Sequence, residues 1–184
     1  MSSRASEATR DLKICKMNKI ELFYSFNTKK TKVVAQKVHE TFGKDKIEPV
    51  NVEDMKDADF IKFDTNIIVI STWFDGELPN FWDEFIPAME EMNLKGKKFA
   101  LVGLGNQREY SQNFCDAVGI LGETIEELGG KLIGFTSTDG YNFESSRAIR
   151  DGKFMGLMID QDTQAKLTQK RIDDWKKQLE KELK

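Results

Sequence analysis

The residues with the most chemical promise lie in the stretch LFYSFNTKKTK, from Leu22 to Lys32. An apolar run ends there, and hydroxyls and two lysines follow. A helical pattern then begins. In an α/β chain this is where a phosphate loop belongs, because the free N–H groups and positive dipole end of a starting helix favour an anion. Phosphate loops usually carry glycine. This one has none, and holds Lys29 and Lys30 instead. Other chemistries are thinly supplied. His39 is the single histidine and falls at an ordinary helix position, so no histidine triad or histidine metal site is expected. Cys15 and Cys115 form no disulfide framework and fit no zinc spacing.

The elements that must position this stretch alternate between two patterns. Short apolar runs at Lys19–Tyr24, Ile47–Val52, Asn66–Ser71, Lys98–Leu104 and Lys131–Phe135 read as strands, with a further short strand at Phe154–Met158. NIIVIS and KFALVGL are apolar on both faces, as central parallel strands should be. Helical spacing covers Thr31–Phe42, Phe81–Met92, Ser111–Leu128 (stopped by Gly129–Gly130) and a last segment near Thr168–Leu183. The alternation predicts an open parallel sheet with helices on both faces. In such a sheet ligands bind beyond the carboxyl ends of the strands, where strand order reverses. Ser25–Thr31, Thr72–Pro79 and Gly105–Tyr110 all follow strand ends and should converge there.

At 184 residues, with 39% apolar and 32% charged residues, the chain fits one soluble globular domain. Its apolar runs are too short to span a bilayer. The net charge of −3 conceals an asymmetry: residues 1–50 are basic and residues 71–130 acidic. A segregated acidic face can steer a basic partner, although solvated helix surfaces look the same in a sequence. The first sixteen residues, MSSRASEATRDLKICK, lack an apolar run and are not a secretory signal. They are expected to be a polar extension, either dispensable or a targeting remnant, ahead of one domain over residues 17–184. The polar tract Thr136–Lys153 is too long for a plain connection and reads as an excursion interrupting one strand.

The three loops together resemble the flavodoxin family. The resemblance runs from about Lys19 to the C-terminus. It is strongest in STWFDGELP, NLKGKKFALVGLGN, NFCDAVGILG, STDGYN and DGKFMGL. It implies a five-stranded parallel sheet of order 2-1-3-4-5, with the fifth strand interrupted by the Thr136–Lys153 insertion as in the long-chain branch. It also implies FMN as cofactor. Phe26, Asn27, Thr28, Lys29, Lys30 and Thr31 would wrap the phosphate. Trp73 and Tyr110 would sandwich the flavin ring. Ser71, Thr72, Phe74, Asp75 and Gly76 would complete the second loop, with the Phe74–Asp75 peptide facing flavin N5. Leu104, Gly105 and Asn106 would meet the pyrimidine edge, with Asn113 and Cys115 on the Tyr110 side. None of these is a nucleophile or an acid–base pair; the flavin carries the chemistry.

Three positions depart from the family pattern. Phe26 replaces a hydroxyl, Lys29 a glycine and Asn106 an aspartate. A lysine forced into a left-handed glycine position costs about 1–2 kcal/mol. A lost hydroxyl donor to phosphate costs about 1.5–3 kcal/mol, and a lysine reaching the phosphate returns a similar amount. FMN is therefore expected to bind, more weakly and with greater salt sensitivity. Losing a charge roughly 10 Å from the flavin is worth about 1.7 kcal/mol, or roughly 70 mV. Phe26 and Phe74 could together form an apolar lip at the flavin edge.

The resemblance implies a monomeric single-electron carrier, not an enzyme. It would serve a flavodoxin reductase and acceptor enzymes, dock on the acids Asp75, Glu77, Asp83 and Glu84, and need neither nucleic acid nor membrane insertion. It would sit in the cytoplasm, or in an organelle such as a plastid if residues 1–16 are a transit remnant. Two other readings stay open: a flavin-dependent reductase of a bound quinone or tetrapyrrole, and a binding protein of the same fold that has lost FMN.

Overall fold

The computed structural model describes residues 19–184; the polar extension, Cys15 included, lies outside the described residues. Three central strands carry the architecture: β1 (Ile20–Tyr24), β3 (Thr65–Ser71) and β4 (Lys98–Leu104). Their side chains alternate between two buried faces. Leu22, Ile67, Val69, Ala100 and Val102 point one way. Phe23, Ile68, Ile70, Phe99 and Leu101 point the other. That two-sided burial is why the runs read as continuously apolar.

Parallel strands need crossovers, and helices supply them. After β1 comes α1 (Lys29–Phe42), then β2 (Ile47–Asn51) and a single helical turn, α2 (Asp57–Phe60). Helix α3 (Asn80–Glu90) follows β3, and α4 (Asp116–Glu127) follows β4. The final helix, α5 (Thr168–Glu182), returns to pack beside α1, with Phe42 edge-on to Trp175 at 6.2 Å. The second layer holds α2, α3 and α4 around an aromatic cluster of Phe23, Phe60, Trp82, Phe85 and Phe99. Fully burying each such side chain stabilises by about 1.5–3 kcal/mol.

Strand order is β2-β1-β3-β4-β5, all parallel, as expected. The fifth strand is indeed interrupted. Its first half, β5 (Lys131–Ile133), pairs with Lys98–Ala100. Its second half, β9 (Leu157–Ile159), pairs with Val102–Leu104 on the same strand. Between them the excursion folds into a small antiparallel sheet of β6 (Thr136–Ser137), β7 (Ile149–Arg150) and β8 (Lys153–Phe154). Phe114 stacks on Phe143 at 5.3 Å and so fastens the excursion to the segment before α4.

Three expectations shift. Helix α1 begins at Lys29 rather than Thr31. Helix α4 begins at Asp116 rather than Ser111, because Cys115 is left-handed (φ 58) and the preceding residues form turns. The Phe154–Met158 run splits into β8 and β9 at Gly156, where an added Cβ would lie 2.2 Å from the Leu101 carbonyl oxygen. Helix α2 and the small sheet escaped the sequence reading because such short elements show no periodicity.

Glu21, near the amino end of β1, is fully buried beside Asn66 of β3, and neither carboxylate oxygen has a hydrogen-bond partner. Burial pushes its pKa from 4.5 up to about 7; Lys62, 3.9 Å away, pulls it back, while Glu48 and Asp59 push it further up. The folded pKa is raised, so the stability tied to this proton is full below about pH 4.5 and is lost as pH rises through 7. Glu21→Gln should therefore be more stable relative to the parent at pH 8 than at pH 5, by roughly 2–3 kcal/mol. Urea unfolding at the two pH values reads this directly, and equal differences would refute it.

Candidate functional site

A cleft of about 480 Å³ opens at the carboxyl edge of β1, β3 and β4, where the three predicted loops meet. Thr28, Lys29, Lys30 and Thr31 form one end. Ser71, Thr72, Trp73 and Phe74 form one wall; Leu104, Gly105, Asn106, Tyr110 and Asn113 form the other. Gln161 and Asp162 close it from the segment after β9. Sequence reasoning missed these two. They follow a fifth-strand half too short to be recognised as a strand end that faces the site.

The first loop is organised by a residue outside the cleft. Ser25 is buried, and its hydroxyl donates to Glu53. The same oxygen accepts the N–H groups of Asn27 (3.3 Å) and Thr28 (3.0 Å) and the Thr28 hydroxyl (2.9 Å). The side-chain amide of Asn27 donates to Glu53 at 2.7 Å. Those two hydrogen bonds, Ser25 first, hold the Glu53 carboxyl below its ordinary pKa. The Phe26 N–H donates to Asn51. The N–H groups of Phe26, Asn27 and Thr28 are thus turned inward. What faces the cleft is the end of α1. Helical geometry leaves its first N–H groups free, and no side chain caps it. The Thr31 hydroxyl, buried in that first turn, has no hydrogen-bond partner.

Two expectations about this loop are corrected. Lys29 sits in the helix with ordinary helical backbone, so no left-handed strain arises there. The ring of Phe26 packs on Tyr24 at 4.7 Å, over the α1–α5 face of the sheet. It forms no lip with Phe74.

The second loop is a tight reversal. Trp73 and Glu77 exchange backbone hydrogen bonds of 3.0 and 2.8 Å. Phe74 (φ 44) and Gly76 (φ 100) take positive φ to close it. Phe74 is 69% exposed, an outlier conformation on an exposed aromatic. Asp75 is exposed and Gly76 buried, and neither lines the cleft. The Trp73 indole N–H donates to Ser71 (3.0 Å), and its ring meets Phe81 edge-on at 5.9 Å. These contacts hold the indole partly exposed. The Thr72 hydroxyl accepts the Ala117 N–H at 3.3 Å, tying this loop to α4.

In the third loop the Asn106 carboxamide oxygen accepts the N–H groups of Arg108 and Glu109, each at 3.0 Å. That turn presents Tyr110, which is 53% exposed, across from Trp73. Cys115 does not line the cleft. It is buried behind Gly105, and burial pushes its thiol pKa well up. Beneath the loop, fully buried Asp160 accepts from the Gln107 N–H and amide, from the N–H groups of Asp162 and Thr163, and from the Thr163 hydroxyl. Burial alone would raise its pKa, but these hydrogen bonds together bring it below the ordinary value.

The flavodoxin family model matches residues 22–175. A flavodoxin of Trichodesmium erythraeum is 44% identical over 170 residues, which is 90% of this chain and 98% of that protein. A flavodoxin of Nostoc sp. is 42% identical over 164 residues, 89% of this chain and 96% of that protein. The chain belongs to the flavodoxin family. Among solved structures, a Fusobacterium nucleatum flavodoxin bound to flavin mononucleotide superposes with a TM-score of 0.86 at 37% identity, covering 91% of this chain and all of that one.

The residues of this chain fit such a group. An uncapped helix end with an orphaned buried hydroxyl suits a phosphate. Two partly exposed aromatic rings suit a flat heterocycle. A Cβ at Gly105 would lie 2.9 Å from the Cys115 sulfur, so this cleft residue must be small to pack on the core behind it.

The reversal at Trp73–Glu77 depends on Gly76. A Cβ there would sit 2.7 Å from an Asp116 carboxylate oxygen, on a backbone that L side chains avoid. Gly140 has similar φ (83) and open space around it. Gly76→Ala should cost at least about 2 kcal/mol, and Gly140→Ala only about 1. Thermal unfolding of the two variants checks the difference; equal losses would mean that the contact with Asp116 relaxes freely.

Proposed function

We propose that this cleft binds FMN and that the protein carries single electrons between a reductase and acceptor enzymes. The observation that carries the reading is the Thr31 hydroxyl, buried and unpartnered at an uncapped helix end, in one cleft with Trp73 and Tyr110. The α1 end, Thr31 and the Lys30 ammonium would hold the phosphate. Trp73 and Tyr110 would enclose the ring. FMN, when bound, supplies one-electron redox chemistry; the protein orients it and sets its electrostatics.

The chain's own residues support transfer at the ring edge. Phe74 and Tyr110 are exposed where the cleft opens. Asp75, Glu77, Asp83 and Glu84 are all exposed around the same loop and the start of α3. An acidic rim of this kind docks a basic partner through brief, salt-sensitive contacts. Among the described residues, no helix is long and apolar enough to cross a membrane.

FMN titration, followed by quenching of flavin fluorescence, should give saturable binding and a yellow complex. Thr31→Val should weaken FMN about tenfold or more while barely affecting riboflavin, which lacks the phosphate. A protein that binds neither flavin would defeat the proposal.

Asn106 offers a second test. An aspartate there would keep both turn hydrogen bonds, since only the Oδ1 acceptor is used. It would add a negative charge near the ring. Asn106→Asp should lower the potential for adding the second electron by tens of millivolts, at most roughly 70 mV. Spectroelectrochemical titration measures it, and an unchanged potential rejects the idea.

A further inference from the structure

An anion site rarely includes a carboxylate in its wall, yet Asp162 lines the lysine end of this cleft. Its carboxylate meets the Lys30 ammonium at 2.5 Å. Lys30 lies in the first turn of α1, one residue before the unpartnered Thr31 hydroxyl. The same ammonium that could face a phosphate is therefore already matched by an acid from another segment, the one after β9.

The placement of Asp162 is built rather than incidental. Asp160, buried below it, accepts the Asp162 N–H at 2.9 Å and the Thr163 N–H at 2.8 Å. Its other oxygen is committed to Gln107 and Thr163. The Gln161 amide donates to the Thr168 hydroxyl, at the first residue of α5. The segment is pinned below and behind, and Asp162 projects from it toward α1. Lys29, also on the cleft, forms no ion pair among the described residues. The phosphate end thus carries two lysines, and the ammonium of Lys30 is neutralised internally.

We infer that Asp162 is an internal counter-anion of this site: its carboxylate and the cofactor phosphate compete for the Lys30 ammonium, so Asp162 sets how tightly the phosphate is held. The inference rests on the FMN reading and deepens it. Two physical consequences follow. The Lys30–Asp162 pair joins α1 to the segment after β9, holding two walls of the cleft together without help from a ligand. Phosphate binding must either break that pair or share the ammonium with a carboxylate that repels it. Both routes lower affinity for a phosphorylated ligand while leaving an unphosphorylated ring untouched. The pair is partly exposed, with side-chain exposures of 60% and 35%, so its effect must fade with salt.

The test uses FMN and riboflavin as paired probes, titrated into the full chain at low and high salt. The variants are Asp162→Asn, Lys30→Met and the double variant. Asp162→Asn keeps the shape, and the turn depends on Asp160, so folding is retained. At low salt Asp162→Asn should tighten FMN about three- to tenfold, with riboflavin changed less than about twofold. The gain should shrink at high salt. Lys30→Met should weaken FMN more in the Asp162→Asn background than in the parent, because only there is the ammonium free. An Asp162→Asn protein whose FMN affinity is unchanged or weaker overturns the inference, as does a riboflavin change that tracks FMN. If the parent binds FMN and these differences are missing, only the role of Asp162 falls. If the parent binds neither flavin, the FMN reading falls and takes this inference with it.

Discussion

Everything at the functional end depends on the parallel pairing of β1, β3 and β4. Three adjacent strands running the same way bring three successive loops to one edge, and no other arrangement of these segments would do so. The pairing is enforced by burial. Leu22, Ile67, Val69, Ala100 and Val102 pack on one face and Phe23, Ile68, Ile70, Phe99 and Leu101 on the other. A one-residue slip in a strand would exchange its two faces. In β1 it would also take Glu21 out of its place opposite Asn66.

The loops themselves are held by polar groups spent on one another. Ser25 and Glu53 bind the first loop inward. Thr72 ties the second to α4. Asp160 and Gln107 lock the third to the segment after β9, and the Gln107 carboxamide oxygen also accepts the Asn142 N–H of the excursion at 2.6 Å. Asp160, the buried carboxylate among them, meets five donors, which is what keeps it inexpensive. The contrast lies at the other end of the sheet, where Glu21 has no donor and burial favours its neutral form. Thr31 is the second contrast. A buried hydroxyl without a partner is costly in a closed core, but it makes sense beside a cleft that can receive an anion.

Conformational strain gathers at the same edge. Two of the three described non-glycine residues with positive φ, Phe74 and Cys115, belong to loops of the cleft. Cys115 is held by full burial and by the start of α4. Phe74 is held by the Trp73–Glu77 reversal below it, which leaves its ring exposed at the mouth. A tight reversal supports an exposed aromatic in a conformation that a longer loop would release.

The sequence patterns determined the parallel sheet and the convergence of three loops, because those are spread over many residues; the strand order came with the family resemblance. Two-sided apolar runs and helical spacing repeat often enough to be legible, and the loop motifs named the family. The tertiary structure decided which residues of those loops face the cleft. Phe26 turns onto Tyr24, Cys115 falls behind Gly105, and Asp75 and Gly76 lie off the cleft. It also brought in Gln161 and Asp162, and it placed Lys29 in helical backbone. The physical reason is range. Ser25 meets Glu53, Gln107 meets Asp160 and Lys30 meets Asp162 across long separations in the chain, and only packing brings such partners together.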